Sequence, residues 1–356
     1  MGSPPMAAYT LAPDEDDYDV LIEGDLNISE TEQCHQYDAK VLWAALGPQF
    51  YTAVSLVGLL DNILVMFILV KFKRLRQVEH IYFLNLAVSN WCFSLALLLW
   101  VLTASDGGTL GHPMCTVLMT LSSVGLHGEV LFSALLTLQS YLVSFQARRF
   151  SSATRKVPCG IIASVLAWVI AILVTLPEFL LHKSQMDSHR YKCFLGSPHT
   201  LPGQEAFWKR FLTLKANIVG LLVPLLVLTV CCGRMRRTLR SREKQHDLPK
   251  LAFAIMVVFL LMWAPYNIAL FLATFKNSFA LHDCRSIYNL DRSVQVTRIV
   301  ASTHCCVNLL LCVLLDQEFR KRLCCLCRLC ADTPLRPAED PARDTPQEEH
   351  DLSTKL

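Results

Sequence analysis

Seven apolar stretches, each about 20 residues or longer, recur along this sequence at 43–70, 81–103, 114–145, 158–181, 211–232, 251–275 and 294–315. At a rise of 1.5 Å per residue, about 20 residues of helix cross the roughly 30 Å hydrocarbon core of a bilayer. In lipid every backbone N–H and C=O must be satisfied internally, and a single segment achieves this as a helix. A soluble fold would have to hide seven such stretches at once. The expected fold class is therefore an all-α membrane protein, a seven-transmembrane helix bundle. Composition agrees with segmental rather than diffuse hydrophobicity. Of the 356 residues 53% are hydrophobic and 18% charged, against about 25% charged in soluble domains.

The fifth and seventh stretches carry Lys215, Asn217, His304 and Asn308, polar interruptions expected where helices pack around a polar interior. Basic residues set the orientation. Lys71, Lys73, Arg74 and Arg76 follow span one, and Arg148, Arg149, Arg155 and Lys156 follow span three. Arg234, Arg236, Arg237, Arg240, Arg242 and Lys244 follow span five, and Arg320, Lys321 and Arg322 follow span seven. The connection between spans two and three has no lysine or arginine. The positive-inside rule then places the N-terminus outside and the tail inside. The first 40 residues are acidic and lack an apolar core, so no cleavable signal peptide is expected and span one serves as the targeting signal.

Four divisions of the chain follow: an extracellular acidic arm (1–42), the bundle (43–315), an amphipathic helix with a cysteine cluster (316–330) and a cytoplasmic tail (331–356). The arm contains Asp14, Glu15, Asp16, Asp17, Tyr18 and Asp19. Such a run cannot bury apolar area and is expected to stay disordered until a basic partner binds, and Tyr18 among carboxylates suits sulfation. The plainer alternative is a solvated tail. Asn27 opens an Asn-Ile-Ser glycosylation sequon. Cys34, Cys115, Cys193 and Cys284 fall outside, where an oxidising compartment favours pairing, and four cysteines allow three connectivities. At the other end, residues 316–323 read as a short amphipathic eighth helix along the inner leaflet. Cys324, Cys325, Cys327 and Cys330 come next. Beside basic residues these are expected to be acylated, Cys324, Cys325 and Cys327 first, rather than to hold zinc. The tail lacks a dense serine/threonine cluster.

Asn62, Leu86-Ala87, Cys115, Trp168, Pro224, Trp263-Ala264-Pro265 and Asn308 stand in successive spans. With these residues the chain, over roughly residues 40–325, resembles the rhodopsin-like G-protein-coupled receptors. Tyr51, Trp100, Pro265-Tyr266-Asn267 and Thr303-His304-Cys305-Cys306 make it similar to the chemokine-receptor branch. Residues 9–13, 20–24 and 253–259 look like the atypical members of that branch that capture the protein chemerin. The resemblance implies pairings Cys115–Cys193 and Cys34–Cys284.

It also exposes departures. Where signalling relatives carry Asp-Arg-Tyr, this chain has Gln139-Ser140-Tyr141, and a serine neither reaches nor carries the charge of arginine. The family's Asn-Pro-x-x-Tyr becomes Asn308-Leu309-Leu310-Leu311-Cys312. Proline frees a backbone carbonyl and permits a kink, so Leu309 is expected to restore a regular ladder, and Cys312 lacks the switching hydroxyl. Asn90 replaces an aspartate that helps hold sodium, while Glu129 on span three faces the same interior. Glu129 is expected to be hydrogen-bonded by Asn90 or paired with His304, with Asn308 in the same polar cluster; a relocated sodium site is the alternative. Arg298 stands where many chemokine receptors use a ligand-binding glutamate, a reversal that disfavours a cationic amino terminus. Leu98 replaces a family proline.

Glycine-rich phosphate loops, His-Glu-x-x-His and nucleophile elbows are missing from the sequence, so neither an enzyme nor a cofactor or metal is expected. A formal charge of +3 is too small for nucleic-acid binding. The function expected is a non-signalling receptor that captures chemerin and presents it to neighbouring signalling receptors, in membrane lipid and in hetero-oligomers with them. The alternative is a G-protein-signalling C-C chemokine receptor.

Overall fold

The computed structural model describes residues 37–72, 77–105, 112–145, 157–187, 190–195, 204–239, 247–281 and 283–331. Helix α1 (Tyr37–Phe72), α2 (Val78–Ser105), α3 (His112–Phe145) and α4 (Val157–Leu181) each form one span. Span five is α5 (Gln204–Asn217), a π-helical turn (Ile218–Leu222) and α6 (Val223–Leu239). Span six is α7 (Asp247–Thr274). Span seven is α8 (Cys284–Ser302), a 3-10 turn (Thr303–Cys306) and α9 (Val307–Leu315), and α10 (Gln317–Ala331) follows. Seven of these units are long and apolar enough to cross a membrane. Between α4 and α5 the described residues also contain a hairpin, β1 (His182–Asp187) against antiparallel β2 (Arg190–Leu195), pairing His182 with Leu195 and Ser184 with Cys193.

Two spans begin earlier than hydropathy suggests, at Ala206 and Cys284. Arg285, Asp291 and Arg292 dilute the apolar signal of the first turns of α8, although those turns are helical. Asp283 caps α8, its carboxylate accepting from Ser286 N at 2.9 Å. Hydrogen bonding from the Ser286 side chain, and then from this backbone N–H, holds the exposed carboxyl below its ordinary range.

Close approach between spans follows from small residues. A Cβ on Gly125 would meet Ser89 O at 2.8 Å and Phe93 N at 2.9 Å, and one on Gly128 would meet Ser89 Oγ at 2.5 Å. Glycine at both positions lets α3 lie directly on α2, the usual device for helix contact in lipid. Hydrogen bonds tie the remaining elements. Trp168 Nε1 donates to Asn85 Oδ1 at 2.8 Å, joining α4 to α2, and Asn62 Nδ2 donates to Cys305 O at 2.9 Å, joining α1 to span seven.

The largest apolar core lies toward the Tyr141 end of α3. It gathers Ile68, Leu69, Tyr82, Phe83, Leu86, Phe132, Leu136, Leu251, Ile255, Cys312 and Phe319. By contrast α4 leaves Ile162, Leu166, Leu173 and Leu180 exposed, as expected of a surface solvated by acyl chains rather than water.

Leu309 stands inside the helical run Val307–Leu315, and the seventh span is irregular just before it. Although no proline interrupts it, the helix tightens to 3-10 geometry over Thr303–Cys306. Four consecutive side chains reach back three residues: Ser302 Oγ to Ile299 O (2.7 Å), Thr303 Oγ1 to Val300 O (2.8 Å), His304 Nδ1 to Ala301 O (2.7 Å) and Cys305 Sγ to Ser302 O (3.4 Å). Side-chain donors that occupy backbone acceptors compete with the helical ladder, and here they do so one turn before Asn308. The eighth helix is also longer than 316–323. It runs to Ala331 and carries the cysteines within it.

Candidate functional site

Inside the bundle, α3 and the 3-10 turn of span seven bring Glu129 and His304 together. Glu129 Oε2 lies 2.6 Å from His304 Nε2, and their side chains are 3% and 2% exposed. Neither atom has another hydrogen-bond partner among the described residues. Because a carbonyl oxygen only accepts, His304 Nδ1 carries the hydrogen it gives to Ala301 O. Nε2 therefore meets the carboxylate in one of two ways: as the second N–H of an imidazolium, or as a lone pair facing a protonated Glu129. Either way a single proton sits between α3 and span seven. The imidazole is boxed by rings, with centroids 4.9 Å from Phe93, 5.3 Å from Trp263 and 6.2 Å from Phe259.

Of the two partners expected for Glu129, then, the structure selects His304. Asn90 is fully buried, yet both its side-chain polar atoms lack a hydrogen-bond partner among the described residues, as do Ser89 Oγ and Asn308 Nδ2. Buried polar groups left this way are ordinarily met by water.

The altered tripeptide lies at the far end of α3. Gln139, Ser140 and Tyr141 are all buried, Ser140 at 2% exposure with its hydroxyl unpartnered among the described residues. Cys312 is fully buried in the apolar core, and Leu309 packs against the same cluster.

A second charged cluster escapes sequence reading because its members are far apart in the chain. Lys215 of α5 pairs with Glu178 of α4 and donates to Val174 O at 3.1 Å. His127 of α3 contacts Thr175 Oγ1 at 3.0 Å and lies in the field of that ion pair. The interrupting Lys215 was the visible signal. Its partner Glu178, near the end of a strongly apolar span, was the missing half.

Arg298 is half-buried on α8 and electrostatically faces Tyr51, which also lies against Ser302. Among the described residues no carboxylate pairs with it, and Leu98 is half-buried on α2. Cys284 is disulfide-bonded. Cys324 and Cys325 are exposed free thiols on α10. Asp14, Glu15, Asp16, Asp17, Tyr18, Asp19, Asn27 and Cys34 lie outside the described residues, as do the side chains of Cys115, Cys193 and Cys327.

Comparison with known proteins agrees with this architecture. Residues 61–310 match the family described as 7 transmembrane receptor (rhodopsin family). The chain is 56% identical over 351 residues to "Chemokine C-C motif receptor-like 2" of Sus scrofa, covering 99% of this chain and 100% of that protein. It is 55% identical over 351 residues, with the same coverage, to "C-C chemokine receptor-like 2" of Homo sapiens. To the Bos taurus protein named as in Sus scrofa it is 56% identical over 349 residues, or 98% and 100%. Seven spans in this family make a multi-pass plasma-membrane protein, and the class comprises receptors rather than enzymes. By helix order, matched length and near-complete coverage, the chain belongs to the rhodopsin family of seven-transmembrane receptors, among its chemokine-receptor-like members.

Proposed function

We propose that this receptor captures the protein chemerin at the cell surface, does not activate G proteins, and presents its ligand to neighbouring signalling receptors, with which it forms hetero-oligomers. The observation that carries the absence of signalling is Ser140. At the inner end of α3 the coupling position holds a short neutral side chain at 2% exposure, which offers no cation to a partner. The Glu129–His304 pair supports the same conclusion, because it fastens α3 to span seven, two elements whose relative movement a switch requires.

The acidic arm is extracellular and supplies electrostatic steering and first contact, with Asp14, Glu15, Asp16, Asp17, Tyr18 and Asp19 as its docking residues. Arg298 shapes the outer end of the bundle. Cys34–Cys284 and Cys115–Cys193 are the proposed disulfides, Asn27 the glycosylation site, and Cys324, Cys325 and Cys327 the acylation sites. The division at 42, 315 and 330 separates arm, bundle, inner helix and tail.

The deciding experiment exposes transfected cells to labelled chemerin and follows calcium and cyclic AMP. Saturable binding without a G-protein response is expected, and binding with a robust response overturns the non-signalling role. Neutralising the five carboxylates at 14, 15, 16, 17 and 19 is expected to slow capture and reduce its dependence on salt. Unchanged capture removes the arm as the docking surface.

A further inference from the structure

Between Pro48 and Val70 the first span carries a single Asp, Glu, Lys or Arg, and it is Asp61. The span runs Pro48–Phe72, so Asp61 stands about 20 Å of helix from one end and about 16 Å from the other. An aspartate is too short to snorkel from that depth to either interface. Its neighbours fix the rotation of α1. A Cβ on Gly58 would meet Ser94 Oγ at 2.6 Å and Cys305 Sγ at 2.8 Å, and Asn62 donates to Cys305 O. Those two residues hold one face of α1 against α2 and span seven.

Asp61 lies at the edge of that face, half-buried. Cys306, whose thiol donates to Val54 O at 3.3 Å, is near enough to feel its charge. On the open side Val57, one turn earlier, and Leu60 are exposed. Among the described residues the Asp61 carboxyl takes part in no hydrogen bond or ion pair, and no cation acts on it. A carboxyl left this way in hydrocarbon is costly, and intramembrane ionisable groups are ordinarily met by a partner.

A second copy of this receptor supplies no suitable group. Copies side by side in one membrane share an orientation, so each residue keeps its depth. Asp61 is level with Cys305 through the Asn62 bond, whereas Arg298, seven residues earlier in span seven, stands about 10 Å away in depth. Lys215 is engaged by Glu178, and His127 and His304 are buried inside the bundle. Contact between two copies of α1 would set acid against acid.

We propose that the Asp61 edge of α1 docks a transmembrane helix of another protein, one that carries an arginine or lysine at mid-membrane depth. The cation meets the Asp61 carboxylate, and Val57 and Leu60 pack against the incoming helix. Arginine suits the position best, because it keeps its charge and offers paired N–H groups to both carboxylate oxygens. The inference is independent of chemerin capture, and its failure leaves that reading untouched.

The test reconstitutes the full-length receptor, donor-labelled, in phosphatidylcholine liposomes with acceptor-labelled synthetic polyleucine helices of about 20 residues. One helix has arginine at its centre, one has only leucine, and one has the arginine moved two turns toward an end. Energy transfer is followed against peptide mole fraction. The centred-arginine helix is expected to associate about tenfold more tightly than the leucine helix, and the displaced-arginine helix to behave like the leucine one. Asp61→Leu is expected to erase the preference and Asp61→Glu to retain it. If Asp61→Leu fails to fold, the displaced-arginine helix on the wild type decides the matter. Three results overturn the proposal. They are equal association of the arginine and leucine helices with the wild type, a preference that survives Asp61→Leu, and peptide-free transfer between two labelled copies of the receptor that Asp61→Leu abolishes. The last would make the partner a second copy.

Discussion

Replacing Glu129 and His304 singly and together probes the centre of the receptor. At 2.6 Å a fully charged pair attracts by about 6 kcal/mol at an effective dielectric of about 20. Desolvation of both ions, several kcal/mol each, offsets much of that. The two single substitutions leave different residues behind. In Glu129→Leu a neutral histidine keeps its bond to Ala301 O, leaving one unmet lone pair and a loss of about 1–3 kcal/mol. In His304→Leu a carboxyl is stranded and the ring contacts with Phe93 and Trp263 disappear, for a loss of about 3–5 kcal/mol. The double Leu variant leaves no unpaired group in the pair's place and is expected to be more stable than His304→Leu. Apparent Tm in detergent micelles, read with surface expression, measures all three. Losses in the double variant that equal the sum of the singles within about 0.5 kcal/mol refute coupling between the two side chains.

Lys215→Met strands Glu178 and is expected to cost about 2–4 kcal/mol, toward the low end for a buried pair because both side chains keep some exposure; adding Glu178→Gln should recover most of the lost Tm. Gly125→Ala drives a Cβ into the α2 backbone and should cost about 1–3 kcal/mol. Gly233→Ala, with nothing within 4 Å of the new Cβ, should leave Tm unchanged or slightly raised. The Asp283 cap is pH-dependent. Its folded value is lowered from 3.8, so the cap is fully present above about pH 4 and lost as pH falls through that lower folded value. Amide exchange at Ser286 and Ile287, corrected for intrinsic rates, should lose protection over that window in the wild type, and be low throughout in Asp283→Ala.

Sequence and tertiary structure contributed at different length scales. Spans were legible because hydropathy is a local property of about 20 residues, and the bilayer imposes it on each segment separately. The early starts at Ala206 and Cys284 were not, because charged residues in the first turns of a span sit at its polar end and lower the apolar average without interrupting the helix. The irregular turn at Thr303–Cys306 shows the same limit. A missing proline is visible in a sequence, but here the helix is irregular without one, at a turn where four side-chain donors reach back three residues.

Lone intramembrane polar residues announced themselves as well. Glu129, His304, Asn90 and Lys215 each stand out in apolar surroundings, since an unpartnered charge in lipid is costly. Which partner each one takes depends on helix rotation and crossing, fixed by contacts such as Gly125 and Gly128 on Ser89 and Phe93. The sequence by itself determined that this chain spans the membrane seven times, belongs with the receptors, and lacks the arginine at position 140. Only the tertiary structure decided that Glu129 pairs with His304 rather than Asn90, and that Lys215 meets Glu178. Pairing across helices is set by packing geometry, which no local window of sequence contains.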